Sequence, residues 1–417
     1  MVNAKPFDPL NIFRLDKHQQ AGFLLLFITA FAIVCLSNAA LAQQPVTEFH
    51  KSLADKAALD EIDFAALARG ETVVNLLPAK DKREVAVCGL VGLRVPAEVF
   101  LESFRESMTR KSNAAILEIG RFSSTPTLTD LQGFTIEDRD IDDMRACLVG
   151  DCRLKLSAGM IERFRNEMDW DAPDYRIRAT HLLKAMLLDY VNDYLARGDA
   201  ALIEYNDKSK AIRLADEQRA LMASSAYMNI LPGFPQLVKG NSKPEMSIVE
   251  NAIVWSKIKF GLKPVFAINH ILVYRRAQEA GLQVLVASKQ IYANHYFDSS
   301  LALTAFVHVP GSNPGSYLFY ENRSRADGLE GAFSQIKRSL VEGKAVDGLK
   351  TILETSRANL NARTSSGNDI ASASNEGGGW KRWKVRRVHL FLSLFLITAF
   401  AALYTFGNYN WRRGLSG

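Results

Sequence analysis

From residue 282 the chain reads LQVLVASKQIYANHYFDSSLALTAFVHV, an apolar run with polar interruptions. Val284, Val286, Ile291, Tyr292, Leu301, Leu303, Phe306 and Val307 are β-branched, aromatic or aliphatic, the types strands favour. Pro310, Gly311, Asn313, Pro314 and Gly315 predict a turn, and Tyr317 resumes the alternation. Beyond Asp327-Gly328 the period lengthens. Leu329, Phe333, Ile336 and Leu340 recur at helical spacing, the stripe of an amphipathic helix. Long antiparallel strands followed by this helix predict an α+β domain: a curved antiparallel sheet packed on a long C-terminal helix, able to enclose an apolar cavity.

Upstream, residues 43–67 read as a helical lead-in, 72–77 and 84–95 as strands around a turn at 78–82, and Pro96 opens a helix. Val99, Phe100, Phe104 and Met108 share one side of it. Residues 116–122 and 134–137 read as strands and 141–147 as a helical turn or two. From Ser157 the texture becomes helical. Ser157 caps a first helix; Pro173-Asp174 starts a long one carrying Leu183, Leu187, Val191, Tyr194 and Leu195; Gly198 breaks it. Asp199 caps a short helix over 200–205, and another covers 216–225. Strands resume at 247–260, and 262–276 pairs with the stretch from Gln283 across Ala280-Gly281. The sequence therefore divides into a first α+β half at 43–156, a helical insertion at 157–246 and a second half with its closing helix at 247–363.

Both ends are apolar. Residues 21–42 carry no charge, and Ala40-Leu41-Ala42 before Gln43-Gln44 has the form of a signal-peptidase site, so this segment reads as a signal peptide or an uncleaved anchor. Residues 388–406, VHLFLSLFLITAFAALYTF, have the length and composition of a transmembrane helix, with Trp383, Tyr404, Tyr409 and Trp411 placed for the interfaces. Residues 364–387 form a Ser/Gly/Asn-rich tether and a basic run, and 407–417 a short tail. Lys381, Arg382, Lys384, Arg386 and Arg387 precede the span, while Arg412 and Arg413 follow it. The positive-inside rule would place the tether in the cytoplasm. Export of the main domain, periplasmic or extracytoplasmic and anchored at the inner membrane, follows instead from the N-terminal segment, because long domains translocate largely regardless of local charge.

The net charge of +6 belongs to these ends. With them set aside, residues 43–379 are slightly acidic, which removes the electrostatic case for nucleic acid. Of the four cysteines, Cys35 lies in the N-terminal apolar segment. Cys147 and Cys152 flank a short turn and form a candidate disulfide in an oxidising compartment. Cys88, in VAVCGLVGL, reads as a buried thiol.

No complete catalytic motif, metal-ligand spacing or cofactor fingerprint occurs. On a continuous strand through 291–298, Ala293, His295 and Phe297 would face one way and Tyr292, Asn294 and Tyr296 the other. Tyr292, His295 and Tyr296 are candidate ligand contacts, with His295 alternatively a base or a hydrogen-bonded core histidine. Glu321, Arg323 and Arg325 alternate onto one face. Arg323 or Arg325 can anchor an anion, or pair with Glu321 and with Asp327 at the helix start. Lys289 and His270 form a further candidate pair.

The pieces ARGETVVNLL, EVAVCGLVGLRVPAEVFLESF and GSYLFYENRSRADGLEGAFSQIKRSL, in the order strand, helix pair, several strands and a final long amphipathic helix, resemble the START-like superfamily of polyketide cyclases and the birch-pollen allergen. The resemblance covers the α+β halves around the insertion and implies an apolar ligand held between sheet and helix. The whole chain also looks like exported, membrane-anchored bacterial proteins of uncharacterised reaction. The expected function is a membrane-tethered protein binding an apolar or lipid-like molecule. The alternatives are an enzyme on the same scaffold using His295 with Arg323 or Arg325, and an envelope interaction protein.

Overall fold

The computed structural model describes residues 61–373 except 112–113, 231–233, 242–245, 261–262, 277–280 and 331–333. The apolar segments at 21–42 and 388–406 lie outside them. Among the described residues no helix is long and apolar enough to cross a membrane.

The chain is α+β, built on one large curved antiparallel sheet. A helix α1 (Glu61–Ala68) leads into β1 (Val73–Leu76) and β2 (Glu84–Leu93), followed by α2 (Ala97–Ser107) and β3 (Ile116–Arg121). The helical part contains α3 (Asp138–Ala146), α4 (Ala158–Glu167), α5 (Tyr175–Arg197), the short strands β4 (Glu204–Tyr205) and β5 (Ile212–Arg213), α6 (Leu214–Ser224), α7 (Tyr227–Ile230) and α8 (Phe234–Val238). The chain then runs through β6 (Ser247–Ile258), β7 (Val265–Arg275), β8 (Gly281–Ala293), β9 (Phe297–His308) and β10 (Ser316–Ala326) into α9 (Ser334–Ala373). The strand order is β1-β2-β10-β9-β8-β7-β6-β3. β6 to β10 pair with their sequence neighbours, whereas β2 pairs with the last strand and β3 forms the far edge.

Both faces of the sheet are covered, so its central strands are buried almost end to end instead of alternating apolar and polar. One face, the helix side, carries Val85, Val87, Val91, Val254, Ile271, Val273, Val286, Ala302, Phe306 and Tyr320 against Phe100 and Phe104 of α2 and the closing helix α9. Val341, Ala345, Leu349 and Leu353 recur every fourth residue on α9 and are buried there. At Gly89 the helix comes so close that a Cβ would lie 2.5 Å from Leu353 Cδ1. The other face, the insertion side, packs Trp255, Phe266, Ile268, Ile291 and Tyr292 against Ile161, Phe164, Leu183, Leu187 and Val191 of α4 and α5.

Four sequence expectations need correction. The stretch 282–307 is two strands: it reverses at Asn294–His295–Tyr296, with β8 and β9 antiparallel, so the predicted alternation through 291–298 does not hold. Residues 134–137 are not a strand, because side chains satisfy their backbone. Glu118 accepts from the Thr135 N–H at 2.9 Å, and Lys257 Nζ donates to the Thr135 carbonyl at 3.3 Å. Residues 200–205 are not a helix; a 3-10 turn at Gly198–Ala201 gives way to β4, paired with β5. The buried stripe of the closing helix starts later than predicted, since Asp327–Leu329 is a 3-10 turn and Ile336 is 70% exposed. The helix also continues to Ala373, through the first part of the expected tether.

Candidate functional site

The reversal between β8 and β9 is held by side chains in place of glycine. Asn294 Oδ1 accepts from the Phe266 N–H at 2.8 Å, and the Asn294 carbonyl accepts from the Lys155 N–H at 2.9 Å. Tyr296 takes the left-handed conformation at φ +59°, and its hydroxyl accepts from the Lys263 N–H at 3.2 Å. His295 Nε2 sits 2.9 Å from Asp140 Oδ2, both side chains buried, and Lys263 Nζ binds Asp140 at 2.8 Å and Asp143 at 2.5 Å. Burial alone would raise the Asp140 carboxyl; His295 and Lys263 hold it below its ordinary value.

Beside this turn lies a chain of ion pairs at the strand ends on the insertion side. Asp298, fully buried, accepts from Lys155 Nζ at 2.7 Å and from Arg83 at 2.9 Å. Lys155 also lies 3.4 Å from Asp327. Arg325 binds Glu217 at 2.8 Å and Glu84 at 3.1 Å; Arg323 binds Glu321 at 2.6 Å and Glu84 at 2.8 Å. Ser225 Oγ donates to Glu321 at 2.8 Å. Burial raises the Glu321 carboxyl in spite of Arg323. A polar cleft of about 580 Å³ opens over these groups, lined by Asp81, Arg83, Lys208, Glu217, Asp298 and Asp327.

The structure thus joins His295 and Tyr296 in one turn and places Arg323 and Arg325 in an ion-pair network with Glu84, Glu217 and Glu321. Tyr292 is fully buried among Tyr190, Tyr205 and Phe266, under the insertion, and its hydroxyl has no hydrogen-bond partner among the described residues. Burial pushes that phenol well above its ordinary value. His270 and Lys289 are cross-strand neighbours on the same face. His270 Nδ1 lies 2.8 Å from the Tyr194 hydroxyl and Nε2 2.9 Å from Asn251 Oδ1, while Lys289 Nζ lies 2.5 Å from Asp199. Burial, helped by the Lys289 charge, lowers His270 to about 3. Cys147 and Cys152 are disulfide-bonded, with Cα atoms 4.5 Å apart, and burial pushes the Cys88 thiol up to about 12. Among the described residues no group of His, Cys, Asp and Glu is arranged to hold a metal ion.

A second constellation lies on the helix side and was not anticipated. Strand phase assigns Ser256, Asn269, Ser288, Gln290, Ser300, Thr304, Asn322 and Ser324 to the same face as Val254, Ile271, Val286, Ala302, Phe306 and Tyr320. The register gathers them. Asn269 is directly opposite Gln290, Ser288 is opposite Ala302, and Ala302 is opposite Asn322. Ser300, Ser324 and Asn322 satisfy one another: Ser300 Oγ is 2.8 Å from Ser324 Oγ, which donates to Asn322 Oδ1 at 2.9 Å. The others are unsatisfied. Ser256 Oγ, Asn269 Nδ2, Ser288 Oγ, Gln290 Nε2 and Thr304 Oγ1 are buried without a hydrogen-bond partner among the described residues. The five side chains are 0–6% exposed. Their sequence signal is one or two polar residues in the inward phase of each apolar strand: Ser256 in AIVWSKI, Asn269 in FAINHI, Ser288 and Gln290 in LVASKQI, and Thr304 in LALTAF.

No family model, curated protein or solved structure matches the chain.

Proposed function

We propose that this chain is a membrane-tethered extracytoplasmic binding protein that holds an apolar or lipid-like molecule between the helix side of the sheet and helices α2 and α9. The polar island on that face carries the reading. A buried polar group without a partner costs about 1–3 kcal/mol, and native interiors hold few of them. Five converge here inside an apolar wall. That is the composition of a ligand site: apolar area supplies affinity, and a few polar groups set orientation.

The strand order supports the START-like resemblance, since β2 lies beside the last strand and a long helix closes the same face. In that fold the ligand would occupy this interior. The Cys147–Cys152 disulfide favours an oxidising compartment, and residues 388–406 supply the tether.

Ala302, opposite Ser288 on the helix side, is the position from which to block the interior. Organic extracts of the purified full chain are expected to contain about one apolar molecule per chain, and extracts of Ala302→Phe much less at unchanged secondary structure. Equal yields from the two proteins would place the molecule elsewhere, and its absence from the parent chain would remove the reading's support.

A further inference from the structure

We propose that Asn269 and Gln290 form a carbonyl-recognition site, so that the ligand is an uncharged apolar molecule presenting an ester, ketone or amide oxygen to the centre of the sheet. This rests on the reading above, that the helix-side interior binds a molecule at all.

The two amide groups left without partners at this spot are donors. Asn269 Nδ2 and Gln290 Nε2 are amide N–H₂ groups, and the Ser288 hydroxyl two residues along β8 can donate as well. Asn269 and Gln290 are a direct cross-strand pair, a geometry that sets Cβ atoms about 5 Å apart. One carbonyl oxygen has two lone pairs and can accept from both amides. Next to the pair, the row from Ile271 through Ser288 and Ala302 to Asn322 contains no ionisable side chain. Glu250, nearer the sheet edge on β6, is bound by Arg105 and Arg121. A carboxylate or phosphate at the amide pair would therefore be a buried anion without a counter-ion, which is far costlier than a buried neutral group. A hydrocarbon would leave both amides as they are, unsatisfied. The neutral carbonyl is the chemistry that repairs the defect without burying a charge.

The test is a competition read by native mass spectrometry. The full chain, stripped of bound molecules in detergent at pH 8, is mixed with equal amounts of methyl oleate, oleate and 1-octadecene, whose adducts differ in mass. The expected result is an ester adduct about tenfold above the alkene adduct, the yield of one or two net hydrogen bonds, with oleate weakest. Asn269→Leu and Gln290→Leu, which remove the amides, are each expected to bring the ester-to-alkene ratio towards one while the alkene adduct persists. Oleate bound as well as the ester overturns the proposal, and so does an ester preference that survives both substitutions. Ester and alkene bound alike by the parent chain also overturn it, the result expected if ordered water satisfies the amides. Failure of all three probes to bind overturns the underlying reading as well, and is thereby distinguishable from failure of the carbonyl site alone.

Discussion

Arg323 shows what a side chain does once its surroundings are known. By sequence alone it can anchor an anion or close an ion pair. Its Nε binds Glu321 and its Nη1 binds Glu84 and the Pro78 carbonyl, and both carboxylates are buried. Arg323→Ala would leave two buried carboxylates short of their counter-charge, and a loss of about 3–5 kcal/mol in denaturant unfolding is expected. A variant that stays stable while losing a ligand would instead identify Arg323 as an anchor. His270 makes a pH prediction. Its folded value of about 3 lies below the ordinary 6.5 because burial disfavours the imidazolium. Below pH 6.5 the unfolded chain binds a proton that the folded chain does not, so stability falls as pH drops through this window. The slope is about 1.4 kcal/mol per pH unit. His270→Gln should flatten that slope between about pH 6 and 4 relative to the parent, and identical slopes would show that another group titrates.

At the scale of elements, turns were legible where glycine and proline mark them. Gly281 at φ +81° and the Pro310–Gly315 stretch reverse the chain where the sequence says so. The turn at Asn294–Tyr296 was not legible, because a tyrosine takes the left-handed position and the bonds that hold it come from Phe266, Lys155 and Lys263, remote in sequence. The helices between Ala158 and Ser224 were legible from their period, whereas β4 and β5 exist only through their pairing with each other. The phase of α9 was not legible, because Leu329, spaced as the first residue of its stripe, belongs to a separate 3-10 turn. Its docking makes a prediction: Gly89→Ala pushes a methyl into Leu353 and Leu349, and a loss of about 1–3 kcal/mol is expected as the helix shifts off β2. A neutral substitution would mean that α9 packs less closely than the structure shows. Thermal unfolding of the two proteins decides between them.

At the scale of the molecule, the helix-side polar island was the least legible feature. Ser256, Asn269, Gln290 and Thr304 lie on four different strands. Only the register of β6 to β10 brings them to one place, and only burial makes their unmet hydrogen bonds significant. Tyr292, Arg323 and Arg325 belong to the opposite side, where Tyr292 packs against the helical part, Arg325 binds its Glu217 and Arg323 joins Glu321 to Glu84. The two faces therefore differ: charge and aromatic packing join the helical part to one, and the other is an apolar face, packed on α2 and α9, with a polar centre.

The most direct measurement is the native mass of the intact chain purified in detergent from the cells that make it. The account predicts a discrete adduct of a few hundred daltons per chain, about one equivalent, whose fragments identify a neutral, carbonyl-bearing apolar molecule. A clean polypeptide mass, unchanged after exposure to a total lipid extract, would contradict it.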